Sequence, residues 1–524
     1  MTKFITLKEA AALIPDGATV GVSGFGSFSS PDSIFDSIHN RYIEEGSPKN
    51  LTIVSGVAPG NFDPEGSGLS KIKDPGLIGT LIACHLRMSP PIGRAISKNE
   101  IAGFSYPLGV YAQLLLALAA NRPGVVTRLG LKTFVDPDND GPAINEKAKA
   151  QNKIFVEKIH IGDEEFLLYK TFPIQYAVLR ANYADANGNI SVENEPVRGE
   201  IIELAMAVHN TGGVVIVEVQ KIKGKNELDP RNVLLHNKLV DYVVVEDVQE
   251  NIGLQYHPEF IGHIIEQVKT PSELMPLNAR KIIARRAALE LKKDDILNLG
   301  IGIPESVGAI VDEEEISNLI TVSIETGVFG GIPNAGKLFG SSRGPESILR
   351  SLDTFAFYDG GGLDYTVLGA AIIDSYGNVN VSKFNGNASG PGGFIDISQN
   401  TPAVSFAFSF TAGKQDIRVE DGKLVIVQDG DIFKFKHDVE HVTFSGDYAI
   451  STKQKVLYIT ERCVFELKKS GLTLVEIAPG VDLEKHILSK MEFKPMIAKE
   501  LKLMDSRIFK DTVMGLKDVL IARK

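Results

Sequence analysis

The residues best suited to chemistry in this 524-residue chain lie in Thr321-Val-Ser-Ile-Glu-Thr-Gly-Val-Phe-Gly-Gly-Ile332, a β-prone apolar run broken by one acid, Glu325, and then by glycines. Such a run carries a carboxylate to the start of a flexible turn, where open α/β sheets present reactive groups. A glutamate near its reference pKa of about 4.3 is ionised at neutral pH, so it can attack an acyl carbon without a neighbouring base. Attack on a thioester makes a tetrahedral oxyanion, and glycine loops expose backbone N–H donors to it without side-chain obstruction. Three loops could supply those donors: Gly24 to Gly26, Gly300 to Gly302 and Gly390-Pro-Gly-Gly-Phe394. Most single glutamates at strand ends are surface acids, and Glu-x-Gly also occurs at Glu44 and Glu420. Context separates the three. Glu44 ends a polar helix pattern and Glu420-Asp-Gly422 reads as a hairpin turn, whereas Glu325 joins a β-prone segment to a run of glycines.

Other patterns compete with that reading. Gly331-Ile-Pro-Asn-Ala-Gly-Lys-Leu338 has the spacing of a phosphate loop, but Leu338 stands where a hydroxyl would be needed for Mg²⁺ and Pro333 interrupts it. Gly340-Ser-Ser-Arg-Gly344 has the spacing of a nucleophile elbow, with a helix expected over Pro345-Glu-Ser-Ile-Leu-Arg350 and with His437, His441 and His486 downstream. A serine hydrolase or thioesterase is therefore the alternative function, although only Leu338-Phe339 stands where a strand should precede the serine; Ser341 or Ser342 capping the helix is the simpler account. His257-Pro-Glu-Phe-Ile-Gly-His263 lacks the spacing that would put two ligands on one helical face, and no metal is expected.

The elements that must position Glu325 occur twice. Leu7 to Ile14 has a helical pattern, Pro15-Asp-Gly17 stops it, Ala18 to Ser23 reads as a strand, and Gly24-Phe-Gly26 leads to a helix start at Pro31. Lys281 to Leu291, Lys292-Lys-Asp-Asp295, Ile296 to Leu299 and Gly300-Ile-Gly-Ile-Pro304 repeat that order. Two polar hairpin turns, Ala184-Asp-Ala-Asn-Gly-Asn-Ile190 and Ile373-Asp-Ser-Tyr-Gly-Asn-Val379, echo each other further on. Two markers recurring in one order indicate a duplication. The expected class is α/β, with two tandem open domains, 1–269 and 280–524, joined by a proline-bearing linker at 270–279 and with Glu325 in the second. Gly213 to Val219 and Asp241 to Glu246 are continuous apolar runs, as buried parallel strands require.

Composition narrows the partners. With 66 acidic against 55 basic residues, the net charge of −11 argues against nucleic acid or an anionic membrane as a partner. Cys84 and Cys463 cannot build a disulfide framework. No apolar run approaches a membrane span, Leu114 to Ala120 reading as a buried helix segment, and the N-terminus has charges where a secretory signal would be apolar. The expected location is the cytoplasm.

In order along the chain, these blocks resemble the family I CoA-transferases, in particular the single-chain branch acting on short-chain acyl-CoA such as acetyl- or propionyl-CoA. Asp16-Gly17 through Val22-Ser-Gly-Phe-Gly26 and Pro31 is similar to the first family signature, with Ser23 where glycine is usual. Leu297 to Pro304 resembles the opening of the second subunit, and Ser323-Ile-Glu-Thr-Gly327 the signature around the nucleophile. Asn334-Ala-Gly-Lys337, Gly360 to Gly369 and Gly390 to Asp396 resemble further family blocks. The resemblance implies CoA-transferase domains and a ping-pong exchange through an acyl-glutamyl anhydride and a glutamyl-CoA thioester at Glu325, with water excluded. It implies Gly392 and Gly393 as oxyanion donors and Asn298 and Lys337 near bound CoA, alongside Gly24, Phe25, Gly26, Gly300 and Gly302 on the glycine loops. It further implies coenzyme A as a substrate with no permanently bound cofactor, short-chain carboxylates as the other partners, and a homo-oligomer, dimer or tetramer. Tyr106-Pro-Leu-Gly109 departs from the family by carrying Leu108 where glutamine is common.

Overall fold

The computed structural model describes residues 2–64, 66–263 and 274–522. Part of the expected linker, 270–273, lies outside them.

The opening grammar folds as expected. Thr6 and Glu9 form a reciprocal capping box, each side chain accepting the other's backbone N–H, and start the helix Leu7–Ala12. The strand Thr19–Val22 follows, then the helix Asp32–Glu45 with Pro31 at its N-cap. In the repeat, the Asn278 side chain accepts from the Lys281 N–H and caps the helix Ala279–Ala288, which precedes the strand Ile296–Leu299 and the helix Ser306–Glu313. Both polar turns are hairpins. Asp185 Oδ1 accepts from the N–H groups of Asn187 and Asn189, and Asp374 Oδ1 does the same from Tyr376 and Asn378. One carboxylate thus closes the same Asp-x-x-Gly-Asn turn in each copy.

The residues form two compact units that do not follow chain order. One holds the described residues before 264 together with Glu325–Ala356 and Asn385–Asp396; the other holds those from 274 to Ile324, with Phe357–Phe384 and Ile397 onward. Glu325 and the glycines at 390–393 therefore belong to the compact unit built on the N-terminal half. The physical reason is where their bonds go: the Gly109 N–H donates to Asp396 and the Leu86 N–H to the Ser389 carbonyl.

In the first unit, eight strands lie side by side in the order Lys3–Ile5, Tyr242–Val245, Val214–Lys223, Tyr176–Asp185, Thr19–Val22, Leu51–Val57, Ile78–His85 and Ala102–Phe104, all neighbours parallel. The apolar runs at 213–219 and 241–246 are interior members, as expected of strands covered on both faces. Arg180 and Glu218 face each other at 3.6 Å, fully buried, on adjacent strands. Burial pushes the Glu218 carboxyl up to about 7 in spite of that guanidinium.

The second unit runs Thr321–Ser323, Ile296–Leu299, Tyr365–Leu368, Ala403–Ala407 and Lys455–Ile459 in parallel, then Cys463–Lys468 and Gly471–Ile477 antiparallel, with Met496–Leu503 at the edge. In each copy the first strand sits between the next strand and the one that leads to the Asp-x-x-Gly-Asn turn. No helix among the described residues is long and apolar enough to cross a membrane.

Candidate active site

Glu325 follows the strand Thr321–Ser323 on a tight turn. The turn needs the third residue of Glu-x-Gly. Gly327 has φ +111°, and a Cβ there would collide with the Leu349 carbonyl, whose own N–H donates to the Gly327 carbonyl at 2.8 Å. Thr326 is fully buried and donates from Oγ1 to the Gly340 carbonyl at 2.6 Å.

Opposite the carboxylate lies the segment Ser389–Asp396, laid across the carboxyl ends of the strands Ile78–His85 and Ala102–Phe104. The Gly392 N–H donates to the Cys84 carbonyl at 2.8 Å, the Leu108 N–H to the Gly392 carbonyl at 3.1 Å, and the Gly109 N–H to Asp396 Oδ1 at 2.9 Å. Gly390, at φ +72°, lies so close to the Cys84 carbonyl and Ser105 Oγ that a side chain would not fit. The Gly393 N–H donates to the Glu325 carboxylate. A Cβ on Gly393 would fall inside contact distance of Glu325 Oε2, so that position leaves room only for glycine.

The electrostatics correct one expectation. Burial pushes the Glu325 pKa up to about 7; the bond from Gly393 opposes the shift and the charge of Glu200 adds to it. Glu325 is therefore not fully ionised at neutral pH, as an unperturbed glutamate would be. The gain is a less solvated and more basic carboxylate, and basicity favours attack. Glu200 is a second carboxyl held up to about 7, by burial first, with a hydrogen bond from Ser351 opposing and Glu203 adding.

The expected donors divide unequally. Gly392 does not offer a free N–H, because that group is bonded to Cys84, whereas Gly393 directs its N–H at the nucleophile candidate. Leu108 is buried at the start of the helix Leu108–Ala119, its Cδ1 facing Gly56 beside Glu200 Oε2. An apolar group fills the place where the resemblance leads one to look for a glutamine.

Gly24 (φ +131°) and Gly26 (φ +57°) form the expected tight loop, closed by Phe25 and Phe28 exchanging backbone bonds at 3.0 Å. The Phe25 ring lies 6.1 Å from that of Phe339 and against Gly340, so this loop meets the residue that Thr326 grips. Ser27 Oγ donates to the Lys337 carbonyl at 2.7 Å, while the Lys337 ammonium is exposed, 3.4 Å from Asp63 Oδ2. Asn298, Gly300 and Gly302 belong to the other unit. Asn298 donates from Nδ2 to the Ser323 carbonyl at 3.1 Å and its buried Oδ1 has no partner there. The Gly300 N–H donates to the Val367 carbonyl at 2.9 Å, and Gly302 has φ +90°.

The elbow at Gly340 to Gly344 does not form. A short 3₁₀ turn, Gly336–Leu338, precedes the serines, Ser342–Arg343 is itself a strand, and Ser347–Ile348 is a strand where a helix was expected, the helix starting only at Ser351. Ser341 caps no helix. Its Oγ donates to the Leu338 carbonyl and accepts from Asn334 Nδ2, both at 2.9 Å.

Sequence reasoning passed over His85 and Glu200. His85 is the last residue of the strand Ile78–His85, and its Cβ and Cδ2 stand 3.7 Å from where a Cβ on Gly392 would lie. Its position at the carboxyl end of an eight-residue strand was the available signal.

A basic carboxylate held by a glycine N–H, at the carboxyl ends of a parallel sheet, is an arrangement able to carry out acyl transfer. A coenzyme A transferase family model matches residues 4–246. The chain is 43% identical over 530 residues to a caffeate CoA-transferase of Acetobacterium woodii, spanning 98% of this chain and 100% of that one. It is 39% identical to the acetate CoA-transferase YdiF of Escherichia coli K12, over 98% and 96%. The crystal structure of the acyl-CoA transferase YdiF from E. coli O157:H7, described as a thioester complex with CoA, superposes with a TM-score of 0.91 at 38% identity, covering 98% and 97%. The chain belongs to the coenzyme A transferase family. It is an enzyme that transfers CoA between an acyl-CoA and a carboxylate.

Proposed function

We propose that the transfer runs through Glu325 and that the substrates are short-chain acids such as acetate, propionate, butyrate or acetoacetate. The observation that carries this reading is the Glu325 carboxylate lying against Gly393, where even a Cβ would fall inside contact distance of Oε2, with burial raising its pKa to about 7. An oxygen of Glu325 bonds to the thioester carbon, the C–S bond breaks, and CoA leaves as thiolate, giving an acyl-glutamyl anhydride. The thiolate attacks the glutamyl carbonyl, the anhydride C–O bond breaks, the acid departs as carboxylate, and a glutamyl-CoA thioester remains. A second carboxylate runs the two steps backwards and leaves as its CoA ester. In this reading the Gly393 N–H holds the oxygen that gains charge on the glutamyl carbon, which is where such donors have most effect. Gly392 shapes the turn, and the loops at Gly24 to Gly26 and Gly300 to Gly302, with Asn298 and Lys337, supply contacts to CoA.

The acetate named for the E. coli relative supports the short-chain assignment; one methylene alters preference by only ~1–3 kcal/mol, so several acids should be accepted. Two buried free thiols accord with a reducing, cytoplasmic setting, testable by fractionation of the native cells. A homo-oligomer is expected by family resemblance and is tested by light scattering, where a monomer mass would refute it. For Glu325, the protein is incubated with acetyl-CoA or propionyl-CoA without acceptor and its peptides are analysed by mass spectrometry. A CoA adduct on the Glu325 peptide, absent in Glu325→Ala, is expected; no adduct on the intact protein would sink the assignment.

A further inference from the structure

His85 is unassigned in the mechanism above, yet its side chain lies beside Gly392, the neighbour of the glycine that bonds Glu325. Three observations set its chemistry. First, ring atom Cδ2 stands 3.7 Å from where a Cβ on Gly392 would lie, while the adjoining residue, Gly393, bonds the Glu325 carboxylate. Secondly, His85 Nδ1 is buried with no hydrogen-bond partner among the described residues, whereas Nε2 is not among the buried unpartnered atoms and the residue as a whole is half-buried. Thirdly, burial and then the charge of Arg87 lower the His85 pKa to about 4, so the ring is neutral and has a single N–H. A buried N–H without an acceptor is rarer than a buried acceptor without a donor. The proton is therefore assigned to Nε2, which makes the accessible edge of the ring a hydrogen-bond donor.

Adjacent Cα atoms are ~3.8 Å apart and reacting atoms meet at ~3–3.5 Å. An acyl carbon placed for attack by Glu325 at Gly393 lies one residue along the turn from Gly392, the glycine that His85 flanks. Leu108 meets Gly392 only through its backbone N–H, which is spent on the Gly392 carbonyl, and its side chain has no donor to offer.

We propose that His85 contacts the substrate, its Nε2–H donating to the carbonyl oxygen of the acyl group that Glu325 attacks. This oxygen differs from the one served by Gly393: the imidazole acts on the acyl side of the anhydride and the glycine on the glutamyl side. The inference rests on the Glu325 reading.

The test uses His85→Gln, His85→Asn and His85→Phe in the full chain, with acetyl-CoA, following by rapid quench and mass spectrometry the rate at which the enzyme–CoA thioester forms, and recording Tm for each. A glutamine amide nitrogen reaches roughly as far as Nε2 and an asparagine one roughly as far as Nδ1. Loss of one such donor slows acyl transfer by on the order of 10²-fold. His85→Phe and His85→Asn should show that loss in kcat with little change in KM, and His85→Gln should recover most of it. The proposal is overturned if His85→Phe forms the adduct at the rate of the unaltered enzyme. It is equally overturned if Gln is as slow as Asn and Phe, or if the rates follow Tm and not donor position. Absence of any adduct in the unaltered enzyme would overturn the Glu325 reading and this one together, whereas a normal adduct in both the unaltered enzyme and His85→Phe removes only the role of His85.

Discussion

The sharpest consequence of the site geometry concerns Gly393→Ala. A methyl group at that position would fall inside contact distance of Glu325 Oε2, with Glu325 Cδ and Phe355 Cε1 each at 3.2 Å. The carboxylate cannot keep its place. It must retreat by on the order of 1 Å, and a misplacement of that size in a reacting group costs about 10²-fold in rate. The same retreat weakens the bond from the Gly393 N–H, which now opposes the upward shift of the Glu325 pKa. Its loss should leave the carboxyl protonated to higher pH. Gly393→Ala is therefore expected to lower kcat by about 10²-fold and to move the acid limb of the pH profile upward. Release of CoA from acetyl-CoA, followed with a thiol reagent across pH, measures both. Since the methyl group is small, Tm should fall only modestly. A variant that keeps a third or more of the activity with an unshifted acid limb would refute the placement of Glu325 against Gly393.

The raised carboxyls make further predictions. Activity should fall as pH drops through about 7, because the proposed attack needs ionised Glu325. The negative charge of Glu200 raises the Glu325 pKa, so Glu200→Gln should move that limb to lower pH, and an unmoved limb would count against their coupling. A carboxyl raised in the folded state contributes stability below its unfolded value near 4.5, and this is lost as pH rises through about 7. Glu200→Gln should therefore raise Tm more at alkaline than at acid pH in paired melts. Thr326→Val removes a buried 2.6 Å bond and leaves the Gly340 carbonyl unpaired, at a cost of ~1–3 kcal/mol in denaturant unfolding. Ser341→Ala should leave turnover within about twofold, since its hydroxyl is engaged in a turn; loss of turnover would revive the serine reading.

Much of the fold was legible because its signals are local. The helix–strand–glycine order at Leu7 to Gly26 and at Lys281 to Gly302 rests on caps, turn residues and apolar runs that act within a few positions. The repeated Asp-x-x-Gly-Asn turns depend on one carboxylate reaching N–H groups two and four residues on. The helix expected over Pro345 to Arg350 failed for the opposite reason: backbone bonds to Phe329 and Gly327, some 20 residues away, hold Glu346 and Leu349 in extended form. Domain membership was illegible in the same way. Glu325–Ala356 joins the unit built on the N-terminal half through contacts far along the chain, as in Ser27 with Lys337.

What the sequence determined by itself is the inventory of chemistry: one acid between a strand and a glycine run, loops able to expose N–H groups, and two copies of one α/β grammar. These follow from residue type and short-range spacing. Tertiary structure decided what that chemistry is worth. Burial, which is a property of everything packed round a group, moved Glu325 from an ordinary acid to one near 7. Backbone pairing used the Gly392 N–H on Cys84 and left that of Gly393 for the carboxylate, although the two glycines are indistinguishable in the sequence. The same packing brought His85, some 240 residues before Glu325, beside Gly392 and so next to the glycine that bonds it.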